Sequence, residues 1–406
     1  MLNTLKSISH LSLFFLFALP ILPYGLMSIS LIAYVVSQLM MGFLSRRRII
    51  VKNDVCHLII QVSFYFLIGL SLLYSENIHN GYRTIQHSIP LLFFPVVSYF
   101  VAEELSKNTF DKLIATFYLA SLVLGLYILI YLFYHYELDY ILNGAVVSHV
   151  LNKGKLILDV HPIYSSVFFL FSILIGLNNL LTLKLSLSKK VFYIFSLAIF
   201  LLSILILSSK AILLTLIISL IFFLFKFRAT IQKKMIVLIA MIGICFIVMV
   251  KFTTVKNRVN DFFIELKNTN INREGSTYLR LTTYKCSLDI IKTNFLAGVG
   301  IGDVQTELNK CYSNKGIQTD IKSTHNFYLA VFSSAGIFAL ILFLISQFYN
   351  LKLASDTTLK ETLYVDFTII FLIIMLFEDY LFRSYGVIFY GLINHVYYRR
   401  YIKIGP

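Results

Sequence analysis

The sequence predicts an all-α polytopic membrane protein. Composition, the length of its apolar blocks and the asymmetry of charge between its loops carry that prediction. Hydrophobic residues make up 58% of the 406 and charged residues 14%, whereas soluble domains hold about 45–50% apolar and about 25% charged residues. These values exclude a soluble enzyme, a disordered chain and a secreted disulfide scaffold. Crossing about 30 Å of hydrocarbon takes about 20 apolar residues in a helix. Only helices or closed barrels satisfy the backbone in lipid, and barrel strands alternate every second residue. Runs such as Val191–Leu207 and Ile236–Val250 are apolar on every side, so helices are expected.

About twelve spans follow, near 7–23, 26–44, 55–74, 84–102, 112–134, 162–180, 191–208, 211–225, 235–250, 326–348, 363–382 and 385–398. Pro20, Pro23 and Gly25 separate the first two. The first run has no A-x-A-like cleavage site and another span follows it directly, so it reads as a span and not as a signal peptide. The chain divides into nine helices over 1–250, a long loop over 251–325, and three helices with a short tail over 326–406. No internal repeat and no low-complexity segment interrupts this plan.

Lys and Arg are enriched in short cytoplasmic loops. With the N-terminus inside, the inner loops carry 19 of them; the short outer loops carry 5, namely Arg83, Lys153, Lys155, Lys210 and Arg383. The other 11 lie in the long loop, and long loops translocate largely regardless of charge. Both termini are therefore expected inside and the long loop outside. The net charge of +15 is a topology signal, and no nucleic acid is expected as a partner. Cys56 and Cys245 fall in spans as apolar filler. Cys286 and Cys311 share the exported loop, where an oxidising compartment permits a disulfide and spacing leaves the pairing open.

Tyr278, Leu281, Tyr284, Leu288 and Ile291 recur at three- and four-residue spacing, so 277–293 is expected to be an amphipathic helix on the membrane surface or the bundle top. Arg280 stands near its start. Gly298-Val-Gly-Ile-Gly302 and Asp303 follow, then a second short helix to about Tyr312. The glycines lack the strand and βαβ context of a nucleotide fingerprint. They read as a tight turn needing positive φ, one that can also offer backbone N–H groups to an anion, with Asp303 capping the next helix. The loop closes on Ser323-Thr324-His325-Asn326 at the edge of a span. An imidazole there can take a proton at neutral pH. The outward histidines show no metal-type spacing, and no metal site is expected. Lys210 stands in a short outward turn after Ser208-Ser209, either snorkelling or fixing an anionic headgroup. Glu378 and Asp379 lie in an apolar run and need partners; Arg383 is near enough in sequence to be one.

An outward face with several cations, a junction histidine and a folded loop suits an anionic, lipid-linked substrate. Arginine presents forked donors to phosphate oxygens, cations hold the charge that develops on a diphosphate leaving group, and a histidine can deprotonate an acceptor hydroxyl. At these same residues the sequence resembles the O-antigen ligases and O-antigen polymerases of bacterial envelopes. The likeness rests on Arg280 with Gly298-Val-Gly-Ile-Gly302-Asp303, and on Ser323-Thr324-His325-Asn326-Phe327-Tyr328-Leu329 running to Ala335-Gly336. His161-Pro162 and Glu378 also fall at similar positions.

The resemblance implies a multi-pass enzyme of the bacterial inner membrane, similar in kind to C-type glycosyltransferases. It implies transfer of glycan from undecaprenyl diphosphate at the periplasmic face to a lipid A–core or other glycan acceptor, with neither nucleotide nor metal. On it, His325 is the base and Arg280 a diphosphate-binding cation. Lys210 stands where the family has an arginine, keeping charge and losing the bidentate fork. Arg83, Asn326, Gly298 and Gly300 join Lys210 as candidate substrate contacts, and membrane lipids are the remaining partners. A ligase is the expected activity, a polymerase extending repeats on the carrier the alternative. A lipid-linked glycan transporter is the competing class, and would need inverted repeats and broken helices meeting at mid-membrane.

Overall fold

The structure is a computed structural model. It describes residues 1–44, 52–100, 105–142, 161–207, 210–226, 276–317, 323–356 and 362–401. The described residues are helical, with no strand among them. The expected span 235–250, most of loop 135–161 and residues 251–275 of the long loop lie outside them.

In chain order the helices are α1 Leu2–Phe17, α2 Tyr24–Leu44, α3 Lys52–Leu70, α4 Ile78–Ser88, α5 Pro90–Phe100, α6 Lys107–His135, α7 Leu138–Leu142, α8 Pro162–Thr182, α9 Leu187–Leu207, α10 Lys210–Lys226, α11 Ser276–Thr293, α12 Val304–Asn314, α13 Phe327–Asp356, α14 Thr362–Ile374 and α15 Ser384–Tyr401. Their ends carry ordinary caps. The Ser106 hydroxyl accepts from Thr109 N–H at 3.2 Å to open α6, and Pro162 fills the first turn of α8.

Among the described residues six helices are long and apolar enough to cross a membrane: Tyr24–Leu44, Val55–Tyr74, Lys107–His135, Pro162–Thr182, Leu187–Leu207 and Phe327–Ser355. Ala211–Phe225 and Leu363–Ile374 are apolar but shorter. Two expected spans take a different form. The segment read as 84–102 is split between α4 and α5, of 11 residues each, because Pro90 has no N–H to continue a ladder and starts a new helix instead. At about 1.5 Å per residue each covers roughly 16 Å, about half the hydrocarbon. The segment read as 363–382 stops at Ile374 and turns through 375–379 into a 3-10 turn at Tyr380–Phe382.

Helix association in lipid relies on packing and on interhelical hydrogen bonds, because lipid tails are as apolar as leucine. Both are present. Phe117 of α6 lies parallel to Phe389 of α15 at 5.1 Å between ring centroids, Phe168 meets Phe389 edge-on at 5.0 Å, and Phe171 meets Phe367 of α14 at 5.2 Å. Tyr390 of α15 hydrogen-bonds Gln347 and Asn350 of α13 at 2.8 and 3.0 Å, and Gln61 of α3 donates to Asn350 at 2.6 Å.

The expected continuous span from 326 is broken at Gly336, whose φ is 74° and ψ −171°. The broken ladder is re-satisfied by the segment after α11. Val299 and Gly300 N–H donate to the Ser333 and Ser334 carbonyls at 2.8 and 2.9 Å, and Ile337 N–H donates to the Phe295 carbonyl at 3.1 Å. Any Cβ at 336 would stand 2.0 Å from the Leu296 carbonyl oxygen. Glycine is required there by backbone conformation and by space. A break at membrane depth is tolerated where protein covers it, and here the long loop does so.

Candidate functional site

The long loop forms a helical hairpin, α11 and α12, as the spacing predicts, and the Cys286–Cys311 disulfide ties its two arms. Its buried face differs from the expected one. Thr283, Cys286, Ser287 and Ile290 pack inward, whereas Leu281 and Leu288 are exposed. The pairing of α11 with α12 selects this face: the Thr283 hydroxyl meets the Tyr312 hydroxyl at 2.8 Å.

The glycine turn is tight, with φ of 69° at Gly298 and 93° at Gly300. It does not present an anion nest. Gly298 N–H donates to Asn294, Val299 and Gly300 N–H to the broken α13, Ile301 N–H to Ser71 Oγ at 3.1 Å and Gly302 N–H to Ser75 Oγ at 3.1 Å. Every amide from 298 to 302 is thus taken by a protein acceptor. Gly298 and Gly300, expected as substrate contacts, lie in the turn that docks the hairpin between α13 and the 71–77 connection. Asp303 likewise does not cap α12 with its side chain. It accepts from Glu76 N–H at 2.7 Å and Asn77 N–H at 2.8 Å, holding the entry to α4.

This docking sets α11 over the turn between α14 and α15. Arg280 Nη2 lies 3.0 Å from Glu378 Oε1, and His325 Nδ1 lies 3.3 Å from Glu378 Oε2. One carboxylate therefore bridges the two side chains that the sequence singled out. The side chains are 31% exposed for Arg280, 26% for His325 and 14% for Glu378, so the cluster is shielded yet open to a ligand. Glu378 pairs with Arg280 and not, as its sequence neighbourhood suggests, with Arg383. The fold brings Arg280 across 98 positions to it, while Arg383, beyond the short 3-10 turn, acts electrostatically on Asp379.

His325 has a φ of 50°, the one positive value at a non-glycine among the described residues. Its neighbours pin it. Asp379 Oδ2 accepts from Thr324 N–H at 3.0 Å, and Oδ1 accepts from the Thr324 hydroxyl and from Asn326 N–H at 3.0 Å. Burial pushes the Asp379 carboxyl up, the Thr324 hydroxyl opposes this, Glu378 adds to it, and His325 and Arg383 lower it. The Tyr284 hydroxyl, raised chiefly by burial, donates toward the His325 carbonyl at 3.1 Å and the Leu376 carbonyl at 3.2 Å. Phe327 N–H donates to the Met375 carbonyl at 2.8 Å. Backbone held in a sparsely populated region concentrates at functional sites. With Nδ1 on the carboxylate, Nε2 has no hydrogen-bond partner among the described residues and can meet a substrate.

The remaining candidates separate. Asn326 Oδ1 accepts from Leu329 N–H at 3.0 Å and so caps α13. Lys210 opens α10, which packs on α14; its side chain and Ser208-Ser209 lie outside the described residues. Arg83 is exposed on α4, which packs beside Tyr380–Phe382. Sequence reasoning placed Glu378 without its role; an acid in an apolar run was the signal. Tyr284 and Asp379 were missed as supports of His325 because hydroxyl-to-carbonyl and carboxylate-to-amide bonds leave no spacing pattern. Among the described residues no three His, Cys, Asp or Glu side chains gather as a metal site. A cavity between α3, α5, α13 and α15, lined by His57, Gln61, Gln347 and His395 among others, contains none of these candidates.

Residues 195–344 match the family model described as O-antigen ligase. The matched segment holds Lys210, Arg280 and His325 and ends before Glu378. It supports the O-antigen ligase superfamily, to which the motifs around Arg280 and His325 pointed. No curated protein matches the chain.

Proposed function

We propose that this protein is a membrane glycosyltransferase of the O-antigen ligase type, moving glycan from a polyprenyl diphosphate carrier to a hydroxyl of a glycan acceptor. The observation that carries the reading is Glu378, bridged at 3.0 Å to Arg280 and 3.3 Å to His325.

The chemistry follows from those contacts. Glu378 accepts from the Nδ1–H of His325, which leaves Nε2 with its lone pair as the base and stabilises the imidazolium that forms. Nε2 takes the proton of the acceptor hydroxyl as its oxygen attacks the anomeric carbon of the carried glycan. The bond from that carbon to the carrier diphosphate breaks, and the diphosphate leaves with the electron pair. Arg280 spends one donor on Glu378 and keeps the rest of its fork for phosphate oxygens. Fixed cations aimed at a developing charge are a large part of such catalysis. In this reading undecaprenyl diphosphate is the carrier, lipid A–core or a related glycan the acceptor, the bacterial inner membrane the location, and the α11–α12 hairpin periplasmic. Lys210 is a second cation for the diphosphate.

Purified protein given glycan-charged carrier and acceptor should transfer, and His325→Ala should lower the rate by at least a hundredfold while donor binding persists. Full transfer by His325→Ala would remove the base from the reading. In a deletion strain, polymer stranded on the carrier identifies a ligase, and a single repeat on the core identifies a polymerase.

A further inference from the structure

A second basic cluster lies beside the Arg280–Glu378–His325 site. Arg83 and His87 stand four residues apart in α4 and share a face. Arg383 directly precedes Ser384, and the Ser384 hydroxyl meets His87 Nδ1 at 2.8 Å. Ser384 also donates to the Tyr24 hydroxyl at 3.1 Å, and the Ser88 hydroxyl is 3.4 Å from the Leu381 carbonyl. These bonds clamp α4 to the start of α15 and bring two arginines from distant segments to one imidazole.

Asp379 lies within electrostatic reach of Arg383, yet among the described residues no carboxylate makes an ion-pair contact with either arginine. Arg280, Lys292, Lys310 and Lys315 each reach a carboxylate, but among the described residues neither Arg83 nor Arg383 does. Both are exposed. Burial, then Arg383, then Arg83 hold His87 below its ordinary value, so both guanidinium groups act on the same ring. Two exposed guanidinium groups gathered by fold contacts, with their forks not spent on a carboxylate, make a positive patch suited to an anion. The position is also specific. Arg383 follows Glu378 by five residues across one 3-10 turn, and the Tyr164 hydroxyl lies within electrostatic reach of Arg383, Glu378 and Asp379 together.

We propose that Arg83, His87 and Arg383 form a second anion subsite on the rim of the Glu378 site, taking a phosphate group of one of the two glycolipid substrates. The inference rests on the glycosyl-transfer reading and extends it. Arg280 supplies one grip, and this cluster supplies another, for the distal phosphate of the carrier or for a phosphate on the acceptor. Two guanidinium forks match the several oxygens of a phosphate ester.

The test uses full-length protein in detergent with two probes, farnesyl diphosphate and phosphorylated lipid A, titrated separately by calorimetry. Variants are Arg83→Gln, Arg383→Gln and their double, each checked for an unchanged unfolding midpoint. The double variant should lose at least tenfold in affinity for one probe, with the singles intermediate. Loss for farnesyl diphosphate assigns the subsite to the donor; loss for lipid A alone assigns it to the acceptor. Unchanged affinity for both, or no binding of either by wild-type protein, overturns the subsite. Transfer is assayed apart from binding. Probe affinity that depends on Arg83 and Arg383 without any transfer sinks the transferase reading alone. Transfer that survives with both arginines replaced, and with both affinities intact, sinks the subsite alone.

Discussion

His325 holds a left-handed backbone that costs of order 1–3 kcal/mol in a non-glycine residue. Asp379 and Tyr284 hold it there by bonding the backbone on either side. Removing one acceptor from buried donors costs about 1–3 kcal/mol, so Asp379→Ala should release the turn, lowering both the unfolding midpoint and the transfer rate. Tyr284→Phe should be milder, with a rate loss of about tenfold and donor affinity unchanged, because it frees the ring's backbone and touches no substrate. Glu378→Gln tests the chemistry more directly. It keeps shape but loses the charge that orients His325 and pairs with Arg280. Replacing the acid behind a histidine base lowers rates by about two to four orders of magnitude. A steady-state assay showing Glu378→Gln near wild-type rate would leave the bridge without a catalytic role.

The α11–α12 hairpin is held by covalent, steric and hydrogen-bonded constraints, each of which makes its own prediction. The disulfide links positions 25 apart, and closing such a loop restricts the unfolded chain by about 3 kcal/mol in the chain-entropy model. Cys286→Ser, or mild reductant, should lower the midpoint and weaken transfer by loosening the helix that carries Arg280. Gly336→Ala and Gly300→Ala should be worse. Their Cβ atoms would stand 2.0 Å from Leu296 O and 2.3 Å from Ser75 Oγ, at φ of 74° and 93°. Each should lose more than the roughly 1 kcal/mol of an ordinary glycine replacement, read as a fall in the midpoint with the disulfide intact. The short α4 and α5 illustrate the same level of organisation. Apolar content alone joins 84–102 into one span, whereas Pro90 and the polar run Ile78–Ser88 divide it. That division lets α4 lie beside the site with Arg83 and His87.

Across the molecule, the interhelical bonds of Tyr390 and the aromatic contacts around Phe389 hold the bundle. The site is built where the ends of α13, α14 and α15 meet the hairpin. The excess of Lys and Arg in one set of loops predicts that the hairpin faces the periplasm. Single-cysteine labelling at Lys292, 76% exposed, should proceed in intact spheroplasts with a membrane-impermeant thiol reagent, and labelling near position 400 should need permeabilised membranes. The opposite pattern would place the site on the cytoplasmic side and remove the periplasmic reading.

Apolar block length, loop charge and the Arg280 and His325 motifs could be read from the chain because each depends on near neighbours or on a simple period. The helical hairpin at 276–314 follows from the same periodicity, although its buried face was chosen by a partner helix. Glu378 was visible as a misplaced acid, and its sequence neighbour Arg383 was the natural guess for a partner. The bridge to Arg280, the break at Gly336, the occupied glycine amides and the gathering of Arg83, His87 and Arg383 depend on segments that are remote in sequence and meet in space. Such contacts arise when separate helices dock and their unsatisfied backbone groups and charges find one another, a requirement that no short stretch of residues can express alone.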